Sequence, residues 1–300
     1  SSSLHGISLS TCTFINITSN TIYYAGSSAS GIFTSLSSAF VKDNNIIASS
    51  TGSSSHAIVF GSSDAFNVIS NNMNYTSSTS YGISDITGCH GCNFTYNNLT
   101  GLRASALYGI KSAGNNINIS YNLIKNINNT GIFVSGNTPF ISNNEIYGRF
   151  NNYATPLVQI NGAKNALFAN NRIHAQGGLD LIIVGNAINI TLKNNYYNKS
   201  LNSYNVVGTP AIVSFYTSNN ITFVNESFYS YNASVNITGL LIGNVYNVNF
   251  TMYNSIINIS NGSSFDFLNA NAKSGYFNFT NVTKANGTAI SIGWGAGANG

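Results

Sequence analysis

An asparagine returns at one place in this chain about every 26 residues. One or two Asn stand directly before an apolar residue at Asn20, Asn45, Asn72, Asn98, Asn122, Asn144, Asn171, Asn195, Asn225, Asn254 and Asn281, in steps of 22 to 30 residues. A fixed period in this range marks a solenoid, whose units are too short to bury an apolar face alone and must stack. Segments such as "SGIFTSLSSAFVKDNNIIAS", "YGISDITGCHGCNFTYNNLT" and "TGIFVSGNTPFISNNEIYGRFNNYA" share one grammar. An apolar run follows Gly or Ala; then come a polar turn, an alternating strand, the Asn and a last short strand. Such runs satisfy the criteria for strands, and no dozen residues combine a 3.6-residue period with helix caps.

About eleven coils fit between Leu4 and Ala289. The pattern predicts an all-β, single-stranded parallel β-helix over residues 1–300, one domain, with an Asn ladder. Ile15, Ile17, Ile32, Ile58, Ile83, Ile110, Ile119, Ile132, Ile141, Ile190, Ile212, Phe250 and Phe279 are expected inside. The repeated Asn has two uses. It tolerates the left-handed backbone region at a corner, and stacked copies can pass hydrogen bonds from amide to amide. Replacing Asn144 with Ala is expected to destabilise by about 1–3 kcal/mol through both effects.

Composition narrows the partners. Charged residues make up 6% of the chain and the net charge is +4, with no run of Lys or Arg. Nucleic acid is therefore not an expected partner. No apolar stretch reaches the roughly 18 residues of a membrane span, and no signal peptide is evident. The chain begins and stops inside coils, at "LHGISLS" and "GTAISIGWGAGANG", with Trp294 in the last. Open strand edges invite pairing, so self-association or flanking domains of a longer chain are expected.

With its "GI" strand openings (Gly31-Ile32, Gly82-Ile83, Gly109-Ile110, Gly131-Ile132), coil length and Asn turn, the chain resembles the right-handed parallel β-helix proteins of the pectate-lyase-like superfamily. The resemblance implies a right-handed coil. For polysaccharide-cleaving members it places catalytic groups outside the "GI" strand. Asp85 and Lys111 are the candidates there, weighed against an exposed ion pair. A glycosidase needs two carboxyls about 5 to 9.5 Å apart. Glu145 and Glu226 align but lie three coils apart, about 14 Å at 4.8 Å per coil. No acidic cluster for calcium is evident, and no cofactor is implied.

"GCHGCN" supplies Cys89, His90 and Cys92, candidates for a metal site that lacks the second pair a structural zinc would need. Buried or locally bonded cysteines are the plainer expectation. N-x-S/T occurs 18 times. Seven copies (Asn16, Asn93, Asn118, Asn189, Asn220, Asn249 and Asn278) fall where an outward Asn/Thr stripe creates the motif automatically. Asn74, Asn128, Asn198, Asn232, Asn236, Asn261 and Asn286 are better placed as glycan acceptors. These features together favour a non-catalytic extracellular or cell-surface protein of adhesive or filament-forming type. The alternatives are a glycan or receptor binder, using loops such as "GRFNNYATP", and a polysaccharide lyase or hydrolase.

Overall fold

The computed structural model describes residues 5–26, 28–35, 38–48, 55–61, 65–76, 79–86, 88–101, 106–149, 155–176, 182–200, 211–231, 238–243, 248–259, 266–269 and 275–294. The chain divides into two compact units, Ser1–Gly148 and Arg149–Gly300. Among the described residues all regular structure within each unit is β, in three parallel sheets whose strands follow in strict rotation. The first unit has six strands in each of its three sheets; the second has six, five and four. Among the described residues the complete three-stranded turns number six and four, rather than the eleven expected. The shortfall lies partly at the end. Lys284 N–H donates to Thr288 C=O at 2.8 Å, Gly287 takes a φ of 79°, and Thr283 pairs antiparallel with Ala289. The Asn286-Gly287 turn thus reverses the chain where another coil would run. No helix among the described residues is long and apolar enough to cross a membrane.

Period-two strands stacked in register give a core of like on like. In the first unit Ile32, Ile58, Ile83, Ile110 and Ile132 occupy one position of the first sheet, all fully buried. Val41, Val68, Phe94, Ile119 and Ile141 do so in the second sheet. In the third, Ile46, Met73, Leu99, Ile124 and Ile146 form the column. Each such side chain contributes about 1.5–3 kcal/mol relative to exposure. The second unit adds rings to its buried aliphatic side chains: Phe215, Phe223, Phe228, Phe250 and Phe267 are buried, and Phe223 and Phe250 lie 5.4 Å apart. Of the residues expected inside, all are buried except Ile15 and Phe279, which are half-buried. The glycine of "GI" is set by the neighbouring coil: a Cβ on Gly109 would lie 2.2 Å from the carbonyl oxygen of Gly131.

The Asn ladder is present, with its role corrected. From Asn20 through Asn44, Asn71, Asn97 and Asn122 to Asn144, each Nδ2 donates to the next Oδ1 at 2.9–3.1 Å. Each Oδ1 also accepts the backbone N–H of the preceding ladder residue at 2.9–3.0 Å. From Asn44 onward, Nδ2 also donates to a core-strand carbonyl (Ile17, Val41, Val68, Phe94 or Ile119) at 2.7–2.9 Å. The left-handed residue is the one before: Ser19, Asp43, Ser70, Tyr96, Tyr121 and Asn143, with φ between 54° and 59°. The ladder Asn is thus selected for its amide and not for its backbone freedom. For Asn144→Ala the strain contribution drops out, and lost hydrogen bonds carry the expected effect.

Other members of the sequence repeat play different parts. Asn98, Asn72 and Asn45 form a second, outer ladder, with Nδ2 of Asn98 donating to Asn72 and Nδ2 of Asn72 to Asn45 at 3.1 and 3.0 Å. In the second unit Asn225, Asn254 and Asn281 are themselves left-handed, and Asn171 and Asn195 carry the inner ladder. There the next inner position is Glu226.

Candidate functional site

The first sheet of the first unit carries a row of side chains one residue ahead of each Gly/Ala-Ile. His56 stands before Ala57-Ile58, Tyr81 before Gly82-Ile83 and Tyr108 before Gly109-Ile110. Tyr81 and Tyr108 are register partners, and their rings stack with centroids 4.6 Å apart. His56 lies against Tyr81 at 5.1 Å, and its Nδ1 accepts the Tyr81 backbone N–H at 3.2 Å. That bond leaves the proton of the neutral ring on Nε2. Lys111, three residues beyond Tyr108, places its Nζ 5.3 Å from the centre of the Tyr81 ring, within cation–π range. All four are half-buried. The buried Tyr75 of the third sheet steadies the row from within, donating its hydroxyl to the Tyr108 carbonyl at 2.7 Å.

Burial, then the Lys111 charge, pushes the His56 imidazole down to about 4. His56 is therefore neutral at physiological pH and presents an Nε2–H donor. Burial raises the Tyr81 phenol above its ordinary value. The Tyr108 phenol is raised by burial and by Tyr81, against an Asn129 hydrogen bond and Lys111, which lower it. The cluster combines an ammonium, a neutral imidazole, two protonated phenols and a stacked aromatic surface.

Asp85 does not join it. The expected exposed pair with Lys111 is corrected: Asp85 is buried, with Oδ1 accepting Gly88 N–H at 2.8 Å and Oδ2 accepting Cys89 N–H and Ser112 Oγ–H at 2.9 and 2.8 Å. Two residues after the inward Ile83, it falls on the same face of its strand. It braces the loop that carries Cys89 and Cys92, which are buried and bonded to each other. With both sulfurs in that disulfide, no thiolate there remains to ligate a metal beside the exposed His90. Cys12 is a free thiol.

Of the loop sequons, Asn74 and Asn198 sit half-buried in third-sheet strands, and Asn128 is half-buried at a bend. Asn286 is exposed in the C-terminal turn. Asn232, Asn236 and Asn261 lie outside the described residues, as do residues 150–154 of "GRFNNYATP". In the outward stripe, Nδ2 of Asn93 donates to Asn67 at 2.8 Å and that of Asn118 to Asn93 at 3.3 Å, so these amides are already engaged.

No family model matches this chain, and no curated protein matches it. Solved structures do. The A-module of Azotobacter vinelandii mannuronan C-5 epimerase AlgE6 is similar with a TM-score of 0.50 and 10% identity, over 96% of this chain and 91% of that one. A double mutant of the periplasmic alginate epimerase AlgG gives 0.50 and 12%, over 93% and 76%. The A-module of AlgE4 from the same Azotobacter gives 0.49 and 10%, over 95% and 90%. The likeness is one of fold: a parallel β-helix. The expected non-catalytic, adhesive or filamentous role is overturned by these comparisons, because the similar solved structures are enzymes acting on polysaccharide.

Proposed function

We propose that this chain modifies an acidic polysaccharide, held along the outer face of the first sheet in the first unit. The observation that supports this most is the grouping of Lys111 with His56, Tyr81 and Tyr108 on adjacent coils. Stacked rings suit the C–H faces of sugars, and the ammonium suits a uronate carboxylate. Lys111 neutralises that carboxylate and so acidifies the adjacent C–H. His56 donates its Nε2–H to the carboxylate or ring oxygen. One of the two phenols, as phenolate, removes the proton; a proton returned by water to the opposite face inverts the carbon, while loss of the neighbouring sugar oxygen, protonated by the other phenol, instead cleaves the chain. Hydrolysis by paired carboxyls is disfavoured, since the cluster holds none. The Cys89–Cys92 disulfide supports an oxidising compartment, periplasmic or extracellular. Should the host glycosylate, Asn286 is the acceptor we favour.

The test is turnover of polyuronates in deuterium oxide, followed by deuterium incorporation and by the ultraviolet absorbance of unsaturated ends. Because both phenols are raised above their ordinary value, kcat/KM is expected to climb about tenfold per pH unit from 7 to 9. Tyr81→Phe or Tyr108→Phe should lower kcat about 10²–10⁴-fold, and Lys111→Met should both raise KM and lower kcat, because it removes the charge that binds the carboxylate and acidifies the C–H. If no polyuronate exchanges a proton or gains an unsaturated end, the proposal fails.

A further inference from the structure

On the third sheet of the first unit, two adjacent strands open a shallow groove lined by Leu123, Lys125, Asn126, Glu145 and Tyr147. Leu123 and Glu145 are register partners, but the pairing slips between Ile124 and Ile127, where Asn126 takes a left-handed φ of 56°. The extra residue separates the outer side chains of the two strands, so a notch forms where a regular ladder would close it. Its volume, about 350 Å³, falls in the range of small-molecule sites.

We infer that this groove is a second saccharide-binding site, distinct from the first-sheet cluster and specific for an uncharged sugar chain. Tyr147 is 36% exposed, offering a ring beside the Leu123 side chain for the apolar face of a pyranose. Its hydroxyl donates to Glu145 Oε1, which orients the carboxylate to accept sugar hydroxyls. The Lys125 ammonium and Asn126 amide, both exposed, supply donors from the opposite wall. Lys125 and Glu145 cancel in charge, and the Glu145 carboxylate opposes a uronate.

Exposed aromatic surface also lies at the corner before these strands. At the corner leading into these strands, Tyr96 and Tyr121 occupy the left-handed position that Asn143 holds on the next coil, with φ of 59° and 57°. A bulky residue is unusual in that region. Their rings stack at 4.8 Å and 4° while remaining 58% and 50% exposed. Tyr121 lies two residues before Leu123 in the chain, at the corner that leads into the strand carrying one wall of the groove.

Calorimetric titration of the 1–300 chain with cellohexaose, mannohexaose and hexagalacturonate tests the assignment. A neutral hexasaccharide should bind, and Tyr147→Ala or Glu145→Gln should weaken it about tenfold. Tyr147→Phe should retain most of the affinity, and Tyr147→Ala should leave polyuronate turnover unchanged. Melting curves confirm that each variant is folded. The inference is overturned if neither neutral hexasaccharide binds, if both weakening variants bind like wild type, or if hexagalacturonate is the probe that depends on Tyr147. A negative result in the turnover assay alone would count against the first-sheet proposal and not against this one.

Discussion

The protein should lose stability steeply between pH 5 and pH 8.5, and Glu226→Gln should remove most of that loss. Glu226 replaces an Asn in the inner ladder of the second unit and is 1% exposed. It accepts Asn195 N–H and Nδ2–H at 3.0 Å and the Tyr197 hydroxyl, and its own N–H donates to Ser255 Oγ at 3.1 Å. Burial raises its pKa from 4.5 to about 8, against those donors, which lower it. Below 4.5 the group is protonated folded or unfolded, and its contribution is intact. Between 4.5 and 8 only the unfolded chain ionises, so each unit favours unfolding by about 1.4 kcal/mol. Above 8 the loss is complete, on the order of 5 kcal/mol, or on the order of 10 °C in melting temperature. Gln has the same length and does not ionise: its Oε1 can accept the two Asn195 donors, and its Nε2–H can donate to the Tyr197 hydroxyl oxygen. Melts of both proteins at the two pH values decide the matter; parallel profiles would refute it.

The second large effect is expected from Asn122→Ala. Asn122 Oδ1 accepts both Asn97 N–H and Asn97 Nδ2–H at 3.0 Å, while its Nδ2 donates to Phe94 C=O and Asn144 Oδ1 at 2.7 and 2.9 Å. Alanine leaves these buried groups on three neighbouring segments short of a partner, with no backbone strain to relieve because φ is positive at Tyr121 instead. At about 1–3 kcal/mol per stranded group, and allowing for rearrangement, a loss of about 3–5 kcal/mol is expected in denaturant titration. A variant within 1 kcal/mol of wild type, on the order of one marginal hydrogen bond, would show that the ladder is ornamental.

Much of the fold was legible because stacking repeats one physical demand. Ile32, Ile58, Ile83, Ile110 and Ile132 meet the same interior, so the sequence repeats them. The left-handed corner was not legible, since Asp43, Ser70, Tyr96 and Tyr121 share no residue type. The neighbouring Asn, constant for another reason, was therefore credited with the turn. Asp85 was misplaced against a rule already in use, because alternation from Ile83 carries it inward. The His56, Tyr81 and Tyr108 row had a signal in the residue preceding each Gly/Ala-Ile, but its members differ in type and only stacking unites them. The groove at Glu145 depends on a bulge at Asn126, and nothing in "LIKNI" announces a register slip.

The two kinds of ladder run in opposite senses. Inside, the amide-to-amide bonds run toward the following coil, as from Asn44 to Asn71, while the same Nδ2 also donates back to a carbonyl of the preceding coil, as from Asn44 to Ile17. Outside, Asn72 to Asn45, Asn118 to Asn93 and Asn225 to Asn194 point toward the preceding one. Each column is a line of head-to-tail amide dipoles, and such lines add along their length as peptide dipoles do in a helix. Antiparallel columns oppose one another, so neither end of a unit accumulates the partial charge that one column would impose. A solenoid with so few ionised side chains to screen such a field can therefore lengthen coil by coil without becoming electrically polarised.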